Sequence, residues 1–159
     1  MNKIRFQIIL AIFTLTIFTA CDKNLVFEKY QSIPENGWHK DSLVVFTIPI
    51  TDTLQNHNLY IDVRNDVEYK YSNLWLFVEL NQPGKTGITD TLEILLADPS
   101  GRWLGEGFGG IKTRQVRYKG GVYFPVSGEY KINIQHGMRD ELLEGITDIG
   151  FRVEKVSSN

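Results

Sequence analysis

Cys21 is the only cysteine in the chain, and it closes the run Ile17-Phe18-Thr19-Ala20-Cys21. Lys3 and Arg5 open the sequence without an acid, and Ile8 to Phe18 is apolar apart from Thr14 and Thr16. A basic start, a short apolar core and small residues before a cleavage point are the parts of a secretory signal peptide. The core is shorter than the ~20 apolar residues a membrane-spanning helix needs. A plain signal peptide would leave one unpaired thiol in an exported protein. A bacterial lipoprotein processing site accounts for it. The thiol takes a diacylglyceryl group, cleavage falls between Ala20 and Cys21, and the new amino terminus is acylated, for example with palmitate. Several acyl chains at about 0.8 kcal/mol per buried CH₂ hold a protein on a membrane stably. Cys21 is therefore the expected lipidation site.

No other residue type is spaced for strong chemistry. His39, His57 and His136 lie far apart and have no cysteine neighbour, so local zinc-ligand spacing is missing and surface or turn positions are expected. No metal and no cofactor are expected. The stretch from Asp98 to Gly110 carries a Gly-x-Gly-x-Gly run, but no helix pattern follows it, which argues against a phosphate loop. Its structural reading is a long connection with Trp103 tucked into the core. Its functional reading is a recognition loop, with Trp103 and Phe108 as rigid aromatic surface and Arg102 and Glu106 fixing orientation. Tyr69 and Tyr71 project together from an extended segment and are candidate aromatic contacts, against the plainer reading of tyrosines packed at a strand rim. Carboxylates such as Asp66, Glu68, Glu141 and Glu144 are plentiful, but sequence does not show the pair across a cleft that a glycosidase needs. No serine sits in a nucleophile elbow, and no catalytic residues are expected. Asp41-Ser42-Leu43, Asp52-Thr53-Leu54 and Asp90-Thr91-Leu92 each have the form of an O-glycosylation acceptor, which marks Ser42, Thr53 and Thr91.

The elements that must position these residues are mostly strands. Removing residues 1–20 from 159 leaves 139, the size of one domain. With Lys3 and Arg5 gone, 15 basic residues face 19 acidic ones, a balance of −4. A mildly acidic exported domain argues against nucleic acid, and against electrostatic docking on anionic lipid, so membrane contact is expected through the lipid alone. Residues 21–34 are expected to be a lipid-anchored tether, partly ordered, with Val26, Phe27 and Tyr30 able to dock on the body. Pro34 to Gly37 is a turn, and Trp38 is expected to plug one end of the core.

Strand patterns then dominate. Leu43–Ile50 is β-branched and aromatic. Asn58–Asn65 alternates, with Leu59, Ile61 and Val63 on one face. Leu74–Leu80 reads as a central strand buried on both faces. Thr89–Ala97 puts Thr91 and Glu93 outward only if it bulges. Lys112–Lys119 reads as a short edge strand. Glu129–Gln135 and Ile149–Val153 complete the set. Met138–Glu144 is a helix of one or two turns at most. Seven or eight strands with Gly and Pro turns predict an all-β chain: a single antiparallel β-sandwich over 35–156, with a jelly roll as one form of it.

With these residues laid out, the chain resembles the gliding motility lipoprotein GldH family of Bacteroidetes. The carriers are Trp38, Asp52, Arg64-Asn65, Tyr69-x-Tyr71-Ser72-Asn73-Leu74-Trp75 and Gly101-x-Trp103-Leu104-Gly105-x-Gly107. Gly128-x-Tyr130, Gln135, Met138-Arg139 and Leu143-x-Gly145-Ile146-x-Asp148-x-Gly150 follow in order. The resemblance implies a non-enzymatic cell-envelope lipoprotein that supports gliding and has partners in the type IX secretion machinery. It supplies no catalytic residues, and only Cys21 transfers, as the lipid attachment site. The outer membrane is the expected location. The second reading is a carbohydrate-binding module, which requires Trp103, Phe108, Tyr69 and Tyr71 to line one open face. A small hydrolase comes third.

Overall fold

The computed structural model describes residues 22–156. The expected signal peptide, residues 1–20, and Cys21 lie outside the described residues. Ten strands follow one another: β1 (Leu25–Ser32), β2 (Trp38–His39), β3 (Val44–Ile50), β4 (Asn56–Asp66), β5 (Asn73–Asn81), β6 (Thr89–Leu95), β7 (Ile111–Tyr123), β8 (Gly128–His136), β9 (Leu142–Leu143) and β10 (Ile146–Lys155). Sheet I has the order β1-β10-β4-β7 and sheet II the order β3-β8-β5-β6, with β2-β9 as a small third pair.

The pairing has a simple rule. β1 pairs with β10, β2 with β9, β3 with β8, β4 with β7 and β5 with β6, all antiparallel. The chain is one long two-stranded ribbon whose bend is residues 82–88. Rolled up, the ribbon also pairs β10 with β4 and β5 with β8. That is the two-sheet, eight-strand jelly roll, and the predicted all-β sandwich takes this form.

Period-two alternation drives the roll. In β3, Val44, Phe46, Ile48 and Ile50 are buried while the residues between them are exposed. Leu59, Ile61 and Val63 of β4 and Ile149, Phe151 and Val153 of β10 face them from sheet I. Phe46 and Phe151 stack across the gap at 5.9 Å. Trp38 is buried at one end, its Nε1 donating to the Ser42 carbonyl at 2.9 Å. Polar clamps close both open sides. Gln31 on β1 donates to the Val45 carbonyl on β3. On the other side the Tyr118 hydroxyl of β7 donates to the Asp90 carboxylate of β6, and Lys119 Nζ lies 2.6 Å from the same carboxylate.

Several expectations change. No helix occurs among the described residues. Met138–Glu144 instead bends around the short strand β9, because Leu143 pairs with the buried Trp38. β5 is central, but its outer face is open: Trp75 and Phe77 keep 39% and 41% of their surface. β6 needs no bulge to turn Thr91 and Glu93 outward, since its register with β5 is unbroken. β7 is the longest strand, with 13 residues. The segment expected to be a tether contains β1, leaving residues 22–24 before the first strand. Asp22 is held there by Arg152 of β10, whose guanidinium also binds Glu28 at 3.0 Å and Glu154 at 2.5 Å.

Candidate functional site

Trp75 and Phe77 stand on the solvent face of β5, opposite the buried Leu74, Leu76 and Val78. Alternation puts them there. Across the sheet Trp75 faces Glu93 of β6, and Phe77 faces Thr91 of β6 and Gln135 of β8. Gly137 follows β8, and its N–H donates to the Trp75 carbonyl at 2.6 Å. A Cβ at Gly137 would stand 3.2 Å from the Phe77 ring, so the glycine is what lets that ring lie across the backbone. Met138 Sδ accepts from the Trp75 N–H at 3.3 Å. The recess so formed has about 500 Å³ and is lined by Tyr71, Asn73, Trp75, Gly137, Met138 and Arg139. Its rim is polar. The Tyr71 hydroxyl donates to Asp140 at 2.9 Å, and Lys70 Nζ lies 3.0 Å from the same carboxylate. Those two hydrogen bonds hold the Asp140 carboxyl below its ordinary range. Asn73 donates to Glu93 at 2.6 Å.

A second recess of about 380 Å³ lies on the outer face of sheet I. One cross-strand row builds it: Tyr30 of β1, Gly150 of β10, Asp62 of β4 and Gln115 of β7. Asp62 points away from the core, yet only 1% of it is exposed. The Tyr30 ring reaches over Gly150 to cover it; a Cβ on Gly150 would sit 2.6 Å from that ring. Arg64 lies 4.0 Å from the ring centroid on the same face. Neither Asp62 oxygen meets a donor with hydrogen-bonding geometry. Burial pushes its carboxyl up, and the nearby Tyr30 hydroxyl and Gln115 amide only partly oppose this. Sequence reasoning missed this carboxylate, although a glycine inside a patterned strand signals a close approach.

The predicted site residues do not assemble on one face. Tyr69 is buried, its hydroxyl donating to the Asn73 carbonyl at 3.0 Å, and burial pushes that hydroxyl up. Tyr71 is half-buried and packs edge-on to Tyr69 at 5.8 Å. Arg102 turns back to Asp98 at 3.1 Å within its own loop. Trp103 is half-buried against the core, bridging to Ala97 where the chain crosses from sheet II to sheet I. Glu106 pairs with Thr113 through the backbone and lines the recess beside Asp62. Phe108 is fully exposed on a turn. The four aromatic residues expected to form a sugar platform are thus dispersed, and Trp75 with Phe77 forms the aromatic surface instead. Ser42 is exposed in a loop, Thr53 is half-buried beside the Asp52–Lys155 ion pair, and Thr91 is exposed on β6.

The histidines differ from expectation too. His57 and His136 are buried, and in each the Nδ1 has no partner. His57 packs on Phe124 at 5.2 Å, and His136 Nε2 lies 3.0 Å from the Trp38 carbonyl. Burial pulls both below the ordinary imidazole value. The unfolded chain therefore takes protons from about pH 6.5 downward while the folded chain does not, so stability falls as pH drops through that window. Melting temperature should decrease from about pH 7.5 to 5.5, and His57→Leu should flatten the decrease. Asp62 acts with the opposite sign, since its raised folded value lets the folded chain take a proton first at lower pH. Among the described residues no three His, Cys, Asp or Glu side chains converge as a metal set.

Fold and site together define a single jelly-roll domain with an aromatic recess on one sheet and a buried-carboxylate recess on the other. The chain belongs to the GldH lipoprotein family, whose profile matches residues 25–153. It is 45% identical over 157 residues to the gliding motility lipoprotein GldH homolog of Christiangramia forsetii, covering 94% of this chain and 96% of that protein. It is 39% identical over 154 residues to gliding motility lipoprotein GldH of Flavobacterium johnsoniae, covering 92% and 94%. Among solved structures, the K1 cleaved adhesin domain of Lys-gingipain from Porphyromonas gingivalis is similar at a TM-score of 0.39 and 12% identity, over 82% of this chain and 73% of that one. A likeness that loose carries no functional argument.

Proposed function

We propose that this protein is a non-enzymatic lipoprotein of the cell envelope, held in the outer membrane by lipid on Cys21, that docks another envelope protein of the gliding and type IX secretion machinery. The relatives' names supply the process, and the Trp75–Phe77 surface supplies the contact. That surface is the observation on which the reading rests. Aromatic side chains on the solvent face of a central strand are enriched where partners bind, and a polar rim such as Tyr71, Asn73 and Arg139 is the usual surround of such a contact. Glycan is the second reading, favoured by the side-chain amide of Asn73, which lines the same recess as the exposed Trp75 ring.

Crosslinking the native lipoprotein in its own membranes, followed by mass spectrometry, tests the docking. Motility or secretion proteins should be recovered above a Cys21→Ala control. Trp75→Ala/Phe77→Ala should lose them while costing only about 1 kcal/mol of stability per site, the scale of a cross-strand aromatic contact on an open sheet face. Recovery of nothing beyond bulk outer-membrane proteins would count against docking. Binding on a glycan array that the double variant abolishes would establish the second reading in its place.

A further inference from the structure

The rolled ribbon brings eight strand ends together at one end of the domain, where the bend at 82–88 also lies. Leu25 pairs with Glu154, Lys155 with His57, Asn56 with Tyr123, and Ile50 with Gly128. Two connections cross from sheet to sheet at this end, residues 51–55 and residues 124–127. Each carries an outward apolar side chain: Leu54, 91% exposed, and Val126, also exposed. Exposed Tyr123 and Val156 stand beside them. These positions are fixed by the backbone. The Leu54 N–H donates to Asp52 Oδ1 at 3.0 Å, and Lys155 Nζ holds the other oxygen of Asp52 at 3.0 Å. The Val126 carbonyl accepts from the Tyr130 hydroxyl at 2.9 Å, and the Val156 N–H donates to the Asn56 carbonyl at 2.8 Å.

The same end receives the N-terminal segment. Asp22 is ion-paired to Arg152, and the Lys155 N–H donates to the Asn24 carbonyl at 2.8 Å. Cys21 is one residue further, and successive Cα atoms are about 3.8 Å apart. We propose that this end of the jelly roll is a second membrane contact, made by protein, in which Leu54, Tyr123, Val126 and Val156 rest in the headgroup region of the bilayer. The proposal builds on the reading of Cys21 as lipidated and revises the expectation of contact through lipid alone. A lipid within one residue of an ion-paired position leaves no tether to hold the body off the surface. The bilayer then lies against whatever that end presents. Asp52 pairs with Lys155, while Asp22, Glu28 and Glu154 share the single Arg152, so these clusters carry no positive excess and the contact rests on the apolar side chains, in keeping with a chain that is not basic. Interfacial apolar groups settle ~5–10 Å into the headgroup boundary, and tyrosine suits the border between wet and apolar.

The test uses the full lipoprotein in vesicles of phosphatidylethanolamine and phosphatidylglycerol. A Leu54→Cys variant and a Phe108→Cys variant are each labelled with an environment-sensitive fluorophore. Phe108 is a fair control, being equally apolar and fully exposed at the opposite end. The probe at 54 should shift to the blue and be quenched by nitroxide-bearing lipid, and the probe at 108 should do neither. The mass of the N-terminal peptide reports separately whether Cys21 carries lipid. Water-like, unquenched emission at 54 on a chain whose Cys21 is acylated overturns the second contact and leaves the lipid reading standing. A quenched probe at 54 on a chain with unmodified Cys21 supports the contact and overturns the lipid reading.

Discussion

Trp38→Ala should cost about 3–5 kcal/mol of folding stability. That is a large share of the ~5–15 kcal/mol by which domains of this kind are stable. Trp38 is 1% exposed and is among the largest fully buried side chains. Its indole lies edge-on to His136 at 5.3 Å, and its Nε1 donates to Ser42. Truncation opens a cavity at the end of the core, leaves the Ser42 carbonyl without its donor, and admits water to a neutral imidazole. Trp38 also belongs to β2, which pairs with β9, so the damage reaches Leu143 on the far arm of the ribbon. Chemical denaturation should give a lower midpoint with a similar slope. A loss below about 1 kcal/mol would mean that the indole is not the plug described here.

Arg152→Met should be the next most damaging change, at about 1–3 kcal/mol, set between a surface pair and a fully buried one. The guanidinium binds three carboxylates, from Asp22, Glu28 and Glu154, and only 16% of its side chain is exposed. Methionine keeps most of the volume but leaves the three acids facing one another. The strain falls on β1, an edge strand paired only with β10. Hydrogen exchange should therefore quicken across Leu25–Ser32 first, while β5 and β8 stay protected. Equal loss of protection in all strands would show that Arg152 does not act locally.

Much of the fold could be read from alternation. Leu59, Ile61 and Val63, or Tyr130, Ile132 and Ile134, permit one face to be buried and no helix to form. The pairing rule was less visible, because period two says which face a residue takes and nothing about the strand beside it. Trp75 and Phe77 misled for a related reason. An unbroken apolar run reads as buried on both sides, and one side is open because no element among the described residues covers the outer face of sheet II. Asp62 misled in the opposite direction. Its place in the alternation is on the solvent face, and it is buried because Gly150, distant in sequence, lets Tyr30 lie over it. Burial of His57 and His136 likewise depends on Phe124 and Trp38, which no local pattern connects to them. Met138–Glu144 lacked a signal for β9, since two residues are too few to show a period.

The ribbon also sets a timetable. A chain made from its N-terminus forward contains β1 early and has no strand to pair it with until β10 is complete, because β10 is β1's only neighbour in the sheet. Only the bend at 82–88 joins strands that are close in sequence; each outer pair must close a longer loop, at a higher entropic cost. For that whole interval the residues beside Cys21 are unpaired. The lipidation proposed for Cys21 would then take place before the neighbouring β1 is paired, and β1 is fastened to the body only after the last strand arrives.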